Sequence, residues 1–193
     1  MNVRRFAARF VVSTVAAFAL ANMLAPQGLA QESHSHGKGA NAPGELVKTV
    51  REATERFKDV AVAEGEGYAL QFGCVSGPDY GAMGLHYVNF PLVIDGEIDA
   101  TRPEIVIYEP AANGSVRLIG ADYLVLADAW NATHAHAPEL DGQLFHYFEA
   151  PNRFGLPAFY TLHVWAWKDN PNGAFVNWHP NVSCKPFTPD SNQ

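Results

Sequence analysis

The chain has 193 residues, of which 48% are hydrophobic, 12% aromatic and 17% charged. That is the length of one domain with an appendage, and it is too aromatic and too sparsely charged for a largely disordered chain. With 13 basic and 20 acidic residues the net charge is −7, the wrong sign for a nucleic-acid surface.

The chain opens on a targeting pattern. Arg4, Arg5 and Arg9 are the only charges before Glu32, an apolar run covers Phe10 to Leu24, and Gly28-Leu29-Ala30 ends it. This is the basic, apolar and small-residue order of a secretory signal. The run is shorter than the roughly 20 residues needed to span a bilayer. We expect a bacterial Sec-type signal over residues 1–30, cleavage after Ala30, and a periplasmic or secreted chain with no membrane span. Three of the 13 bases lie in that segment, leaving 10 against 20 acids, a net −10. Such a surface repels nucleic acid and anionic lipid.

Residues 31–44, QESHSHGKGANAPG, lack apolar periodicity and read as a flexible polar leader. His34 and His36 are polar tail residues in this reading. From Glu45 to Ala63, Leu46, Val50, Ala53, Phe57, Val60 and Ala61 recur at steps of three and four, which predicts an amphipathic helix. Arg51–Glu55 and Glu52–Arg56 are spaced as i,i+4 pairs on its outer face. Gly65 and Gly67 end it.

The remainder predicts strands. One covers Leu85–Phe90. Glu104–Glu109 and Ser115–Asp128 flank a turn at Ala111-Ala112-Asn113-Gly114, and Ala158–Lys168 and Ala174–Trp178 flank another at Asn170-Pro171-Asn172-Gly173. Asp95-Gly96 and Asp141-Gly142 mark further turns. One helix followed by such strands predicts an α+β domain over residues 45–188, its helix packed on a curved, mainly antiparallel sheet or small barrel, with a tail at 189–193. Cys74 and Cys184 are the only cysteines, and in an exported chain they are expected to pair. A loop that long is worth ~4–5 kcal/mol of chain entropy.

The segment Gly73 to Asn89 holds four glycines within twelve residues. It reads either as a loop wrapped around a pocket, delivering His86, or as a tight turn pinned by the disulfide. It carries neither a dinucleotide fingerprint nor a phosphate loop.

Strand parity singles out two further residues. In Ala158–Lys168, Phe159, Thr161, His163, Trp165 and Trp167 share one face, and the opposite face is also apolar. A central strand with a buried, hydrogen-bonded His163 follows. In Ser115–Asp128, Asp122 shares a face with Val116, Leu118, Leu124 and Leu126. A carboxylate there needs a histidine, an arginine or a metal as partner. Glu109 is a weaker candidate of the same kind. His86, His163 and Asp122 would make a two-histidine, one-carboxylate site for zinc or copper, with His146 or His179 as a further ligand. Tyr87, Trp165 and Trp167 would line an aromatic pocket beside it. His134 and His136 fall in a polar loop.

The motifs Cys74-Val75-Ser76-Gly77-Pro78 and Gly81-Ala82-Met83-Gly84-Leu85-His86-Tyr87-Val88-Asn89 resemble those of a group of exported bacterial proteins. So does the ending from His163-Val164-Trp165-Ala166-Trp167-Lys168 through Asn181-Val182-Ser183-Cys184. The resemblance implies export and bridging cysteines and supplies no catalytic assignment. The leading expectation is thus an exported small-ligand-binding domain with an aromatic-lined, metal-assisted pocket. A metal-dependent hydrolase or lyase using His86, His163 and Asp122 is the alternative, and a cell-envelope interaction protein is a third.

Overall fold

In a computed structural model, which describes residues 43–187, the expected amphipathic helix begins two residues earlier than its periodicity suggested and is broken into three pieces. The signal segment, residues 31–42 of the leader and the chain from residue 188 lie outside the described residues. Helix α1 (Pro43–Thr54) buries Leu46 and Val50 completely. It stops at Thr54, whose hydroxyl donates back to the Val50 carbonyl at 2.7 Å, a side-chain bond that competes with the helix ladder. A 3-10 turn (Glu55–Lys58) then inserts Phe57 into the core. Asp59 accepts from the Ala61 N–H and starts α2 (Val60–Gly65). The interruption also undoes the expected ion pairs. Arg51 donates instead to the Ala166 carbonyl, Arg56 pairs with Glu66 at 2.8 Å, and Glu52 lies 3.7 Å from Lys48.

Eight strands follow: β1 (Ala69–Gly77), β2 (Gly81–Val88), β3 (Ile105–Pro110), β4 (Val116–Leu126), β5 (Glu139–Leu140), β6 (Gln143–Leu144), β7 (His146–Phe148) and β8 (Phe159–Val164). Six form one antiparallel sheet in the order β1-β2-β3-β4-β8-β7, and β5-β6 make a small hairpin across Asp141-Gly142. Two short helices, α3 (Phe90–Val93) and α4 (Ala127–Asn131), follow β2 and β4. The molecule is α+β, with its sheet curled into a half-barrel, as expected. No helix among the described residues is long and apolar enough to cross a membrane.

Both sheet faces are packed. On one, α1 and the 3-10 turn set Leu46, Val50 and Phe57 against Ala121, Tyr123, Leu162, Val164, Val106 and Tyr108. The other carries Val88, Ile105, Ile107, Ile119, Leu124, Phe159 and Trp165, covered by Phe148, Phe154, Leu156 and Val182.

The glycine-rich segment is neither a loop nor a single turn. It is the β1–β2 hairpin. Gly81 permits its tip to approach the carboxyl-terminal segment, because a Cβ there would stand 2.2 Å from the His179 carbonyl oxygen. Ala82 and His179 exchange both backbone hydrogen bonds across this contact. The disulfide Cys74–Cys184 ties the same two segments, with Cα atoms 5.6 Å apart.

The expected strand Ala174–Trp178 does not form. Pairing along β8 ends at Val164, where the Ala166 N–H turns back to the Val164 carbonyl. Beyond the turn at Asn170–Gly173, the returning chain keeps one backbone bond, from Trp165 N to the Ala174 carbonyl.

Candidate metal centre

The residues of the candidate site come from three strands. His86 stands on β2, Asp122 on β4 and His163 on β8. Asp122 and His163 are direct partners across the β4–β8 ladder, so both side chains leave the same face. His86 is three strands from β8. In a flat sheet three steps of ~4.8 Å would hold β2 and β8 about 14 Å apart. The curl brings the two imidazole rings to 5.8 Å between centroids, nearly perpendicular to each other.

Three irregularities set which residues reach this face, one of them leaving Met83 as the extra residue of β2 between Ala82 and Gly84. In β4, Ile107 pairs with Gly120 but Tyr108 pairs with Leu118, leaving Ile119 as the extra residue. Leu118 therefore packs on the helix side, and Ile119 joins the core of the opposite face with Leu124. The simple alternation that grouped Leu118 with Asp122 fails at that bulge. In β1, Phe72 and Gly73 are extra between Gln71 and Cys74. Phe72 adopts a left-handed φ of 61°, unusual for a bulky residue. Its ring lines the cavity in front of the histidines while remaining partly exposed, in edge contact with Phe154.

The three candidate side chains are each at most 4% exposed. One ligand atom from each can be chosen so that all lie within 4.8 Å of one another. The His86 Nδ1–H donates to the Gly84 carbonyl at 3.2 Å; because a carbonyl only accepts, the lone pair of the neutral ring resides on Nε2. Gly84 allows this geometry with a φ of 104°, and a Cβ on it would lie 2.6 Å from the Tyr108 carbonyl oxygen. Asp122 Oδ1 accepts from the Thr161 hydroxyl at 2.5 Å. His163 Nδ1 sits 3.3 Å from the same oxygen, without hydrogen-bond alignment.

That last contact corrects an expectation. His163 is buried, but it is not hydrogen-bonded: both ring nitrogens are closed to solvent and have no hydrogen-bond partner among the described residues. Such a group costs about 1–3 kcal/mol. Burial depresses both imidazoles, His163 to about 3 and His86 to about 4, so each is neutral with a free lone pair. Burial lifts the Asp122 carboxyl to about 6, against the opposing pull of His86 and the Thr161 hydrogen bond.

The wall in front of the cluster is almost entirely carbon. Met83, Ile105, Leu124, Phe148, Leu156 and Phe159 line it with Phe72 and Phe154, and its free space is about 30 Å³. That holds one or two water-sized molecules. Among the described residues no lysine or arginine lines it.

The other expected residues stand elsewhere. Tyr87 points to the helix face, where its ring packs edge-on to Tyr108 at 5.0 Å. Trp167 also ends on that side, its indole N–H donating to Thr54 Oγ1 at 3.0 Å, because the turn after Val164 breaks the strand alternation. Trp165 keeps the expected face, 6.1 Å from the His163 ring, but gives its N–H to the Val176 carbonyl and does not line the cavity. His179 is buried and spent, accepting from Asn181 N and bonding the Asp169 carbonyl. His146 faces Thr161 across the β7–β8 pair, one position from the cluster, and is exposed. Glu109 holds Arg117 and Lys168 away from the site. His134 stacks on Trp130 within its own loop.

Thr161 is a site residue the sequence could have yielded, two positions before His163 on the same face. Phe72, Phe148 and Phe154 could not be found that way, since a bulge, the edge strand β7 and the segment before β8 deliver them.

Comparison with family models, curated proteins and solved structures finds no match.

Proposed function

We propose that this is an exported metal-binding domain that takes a small ligand at a divalent ion held by His86, Asp122 and His163. One observation carries the reading: two neutral imidazoles and a carboxylate converge in a carbon-walled interior, and the nitrogens of His163 have no other use. A cation would satisfy them and favour the charged form of Asp122. Two nitrogens and one oxygen suit zinc or copper. Tetrahedral ligand atoms around zinc lie roughly 3–4 Å apart, so the site needs only a small contraction to close on an ion.

Three protein ligands leave a coordination position open. The space before it admits water, hydroxide or a molecule of a few atoms. Metal-dependent hydrolysis or lyase chemistry draws on the same open position, since a bound ion acidifies water. The small free volume favours ligand binding over a reaction on a large substrate. Export is supported by the basic-apolar start of the chain and the bridged cysteines.

The test is elemental analysis of the purified mature chain, followed by calorimetric titration of the stripped protein with Zn²⁺ and Cu²⁺. One ion per chain is expected, lost in His86→Ala and His163→Ala while circular dichroism stays native. A natively folded chain that neither carries nor takes up an ion overturns the reading.

A further inference from the structure

A second site lies outside the metal cluster, in an open groove of about 420 Å³ where the β1–β2 hairpin tip meets the segment after the Asn170–Gly173 turn. We propose that this groove binds a neutral saccharide, stacked on Tyr80 and Trp178 and held through its hydroxyls by Asp79, His146, Asn172 and Asn177.

The aromatic pair is a platform. Tyr80 is 61% exposed, and its ring lies 6.1 Å from that of Trp178 at an angle of 36°. Rings so close and so tilted leave no slot for a flat base to enter between them. They offer one broad apolar surface, which suits the C–H face of a puckered sugar ring. Trp178 is held for the task. A Cβ on Gly77 would lie 3.2 Å from the indole, so the ring rests on bare backbone of the hairpin tip. Asn170 fixes the Trp178 carbonyl from the turn, at 2.9 Å.

The polar groups around the platform are unspent. Among the described residues, the side chains of Asp79, His146, Asn172 and Asn177 make no hydrogen bond to protein, nor do the Tyr80 hydroxyl and the Trp178 indole N–H. The Oδ1 of Asn177 is closed to solvent, so its Nδ2 is the atom this side chain offers a ligand. Elsewhere in the molecule, most indoles and most buried phenols are bonded: Trp130, Trp165 and Trp167, and Tyr68, Tyr108 and Tyr123. A carboxylate that only accepts, beside amides and an imidazole that can do both, matches neighbouring hydroxyls that donate and accept. Among the described residues Asp79 is the only formal charge lining the groove; Arg153, 6.0 Å from the centroid of the Trp178 ring, gives both terminal nitrogens to the Ser76 carbonyl, so no free cation is there to hold phosphate or another anion.

The experiment follows the indole signals of the ¹⁵N-labelled mature chain in ¹H–¹⁵N spectra. Maltotriose, cellotriose and chitotriose are added in turn to roughly 10 mM, well above weak-ligand dissociation constants, with adenosine as the flat-ring probe. At least one saccharide is expected to shift the Trp178 indole signal, assigned by its loss in Trp178→Phe. Tyr80→Ala and Trp178→Ala should each weaken binding about tenfold or more. His86→Ala should leave it unchanged, so failure of the metal reading does not touch this one. Tyr80→Ala alters an exposed ring and keeps the test open if Trp178→Ala fails to fold. The proposal is overturned if no saccharide shifts that signal, if binding survives Tyr80→Ala, or if adenosine alone binds.

Discussion

His163 and Asp122 face each other directly across two adjacent strands, 3.3 Å apart at their nearest polar atoms, yet do not form a hydrogen bond. Asp122 spends its Oδ1 on Thr161, and His163 spends neither nitrogen. A histidine kept only for packing would be expected to have a partner.

The first prediction turns on that difference. His163→Leu removes two unsatisfied buried nitrogens and fills the space with carbon. In metal-free protein it should leave stability within about 1 kcal/mol of the parent or raise it. It should also abolish metal-dependent stabilisation, which at a hundredfold excess over the dissociation constant is about 2.7 kcal/mol. Urea unfolding with and without Zn²⁺ measures both. A large loss of stability in the metal-free variant would mark His163 as a packing residue.

Thr161 positions the carboxylate. Thr161→Val keeps the shape and removes the hydroxyl donor to Asp122. Metal affinity should fall by roughly 10–100-fold, the usual effect of losing a partner behind a ligand. Competition against a chromophoric chelator reads this, and Thr161→Ser should restore most of the affinity.

Glu104 governs the alkaline side. It is buried, accepts from Leu124 N at 3.0 Å, and burial lifts its carboxyl to about 8, with Asp122 and Asp95 adding to the rise. A carboxyl whose folded value is raised stabilises the fold below the unfolded value of about 4.3. That contribution is lost as pH climbs toward 8. Thermal midpoints of the metal-free chain should therefore drift down between about pH 5 and 8. Glu104→Gln should flatten the drift and melt above the parent at pH 8. A drift equal in both proteins would assign it to other groups.

The disulfide stabilises the fold and shapes the site. Cys74 immediately follows the Phe72–Gly73 bulge that sends Phe72 to the cavity. Cys74→Ser with Cys184→Ser should cost about 2–5 kcal/mol. It should also speed exchange of bound metal by freeing that wall. Denaturant midpoints and the rate of metal transfer to a chelator test the two effects. Equal transfer rates would separate Phe72 from access to the ion.

Much of the fold was legible in the residues because it depends on local patterns. Apolar spacing located the helix against the sheet, turn residues separated the strands, and a lone pair of cysteines behind a signal-like start named its own bridge. Parity placed His163 and Asp122 inside, since a strand with two apolar faces has no solvent side. The tertiary structure decided the rest, wherever alternation fails or distance is long. Bulges at Ile119 and Phe72–Gly73 change which side chains share a face. The turn after Val164 sends Trp167 to the helix side, and no period-2 count foresees it. Tyr87 lies away from the cavity because a residue next to His86 in a strand stands on the opposite face. Above all, His86 meets His163 only because the sheet curls across three strand spacings, and curl is a property of the packed sheet that no single strand carries.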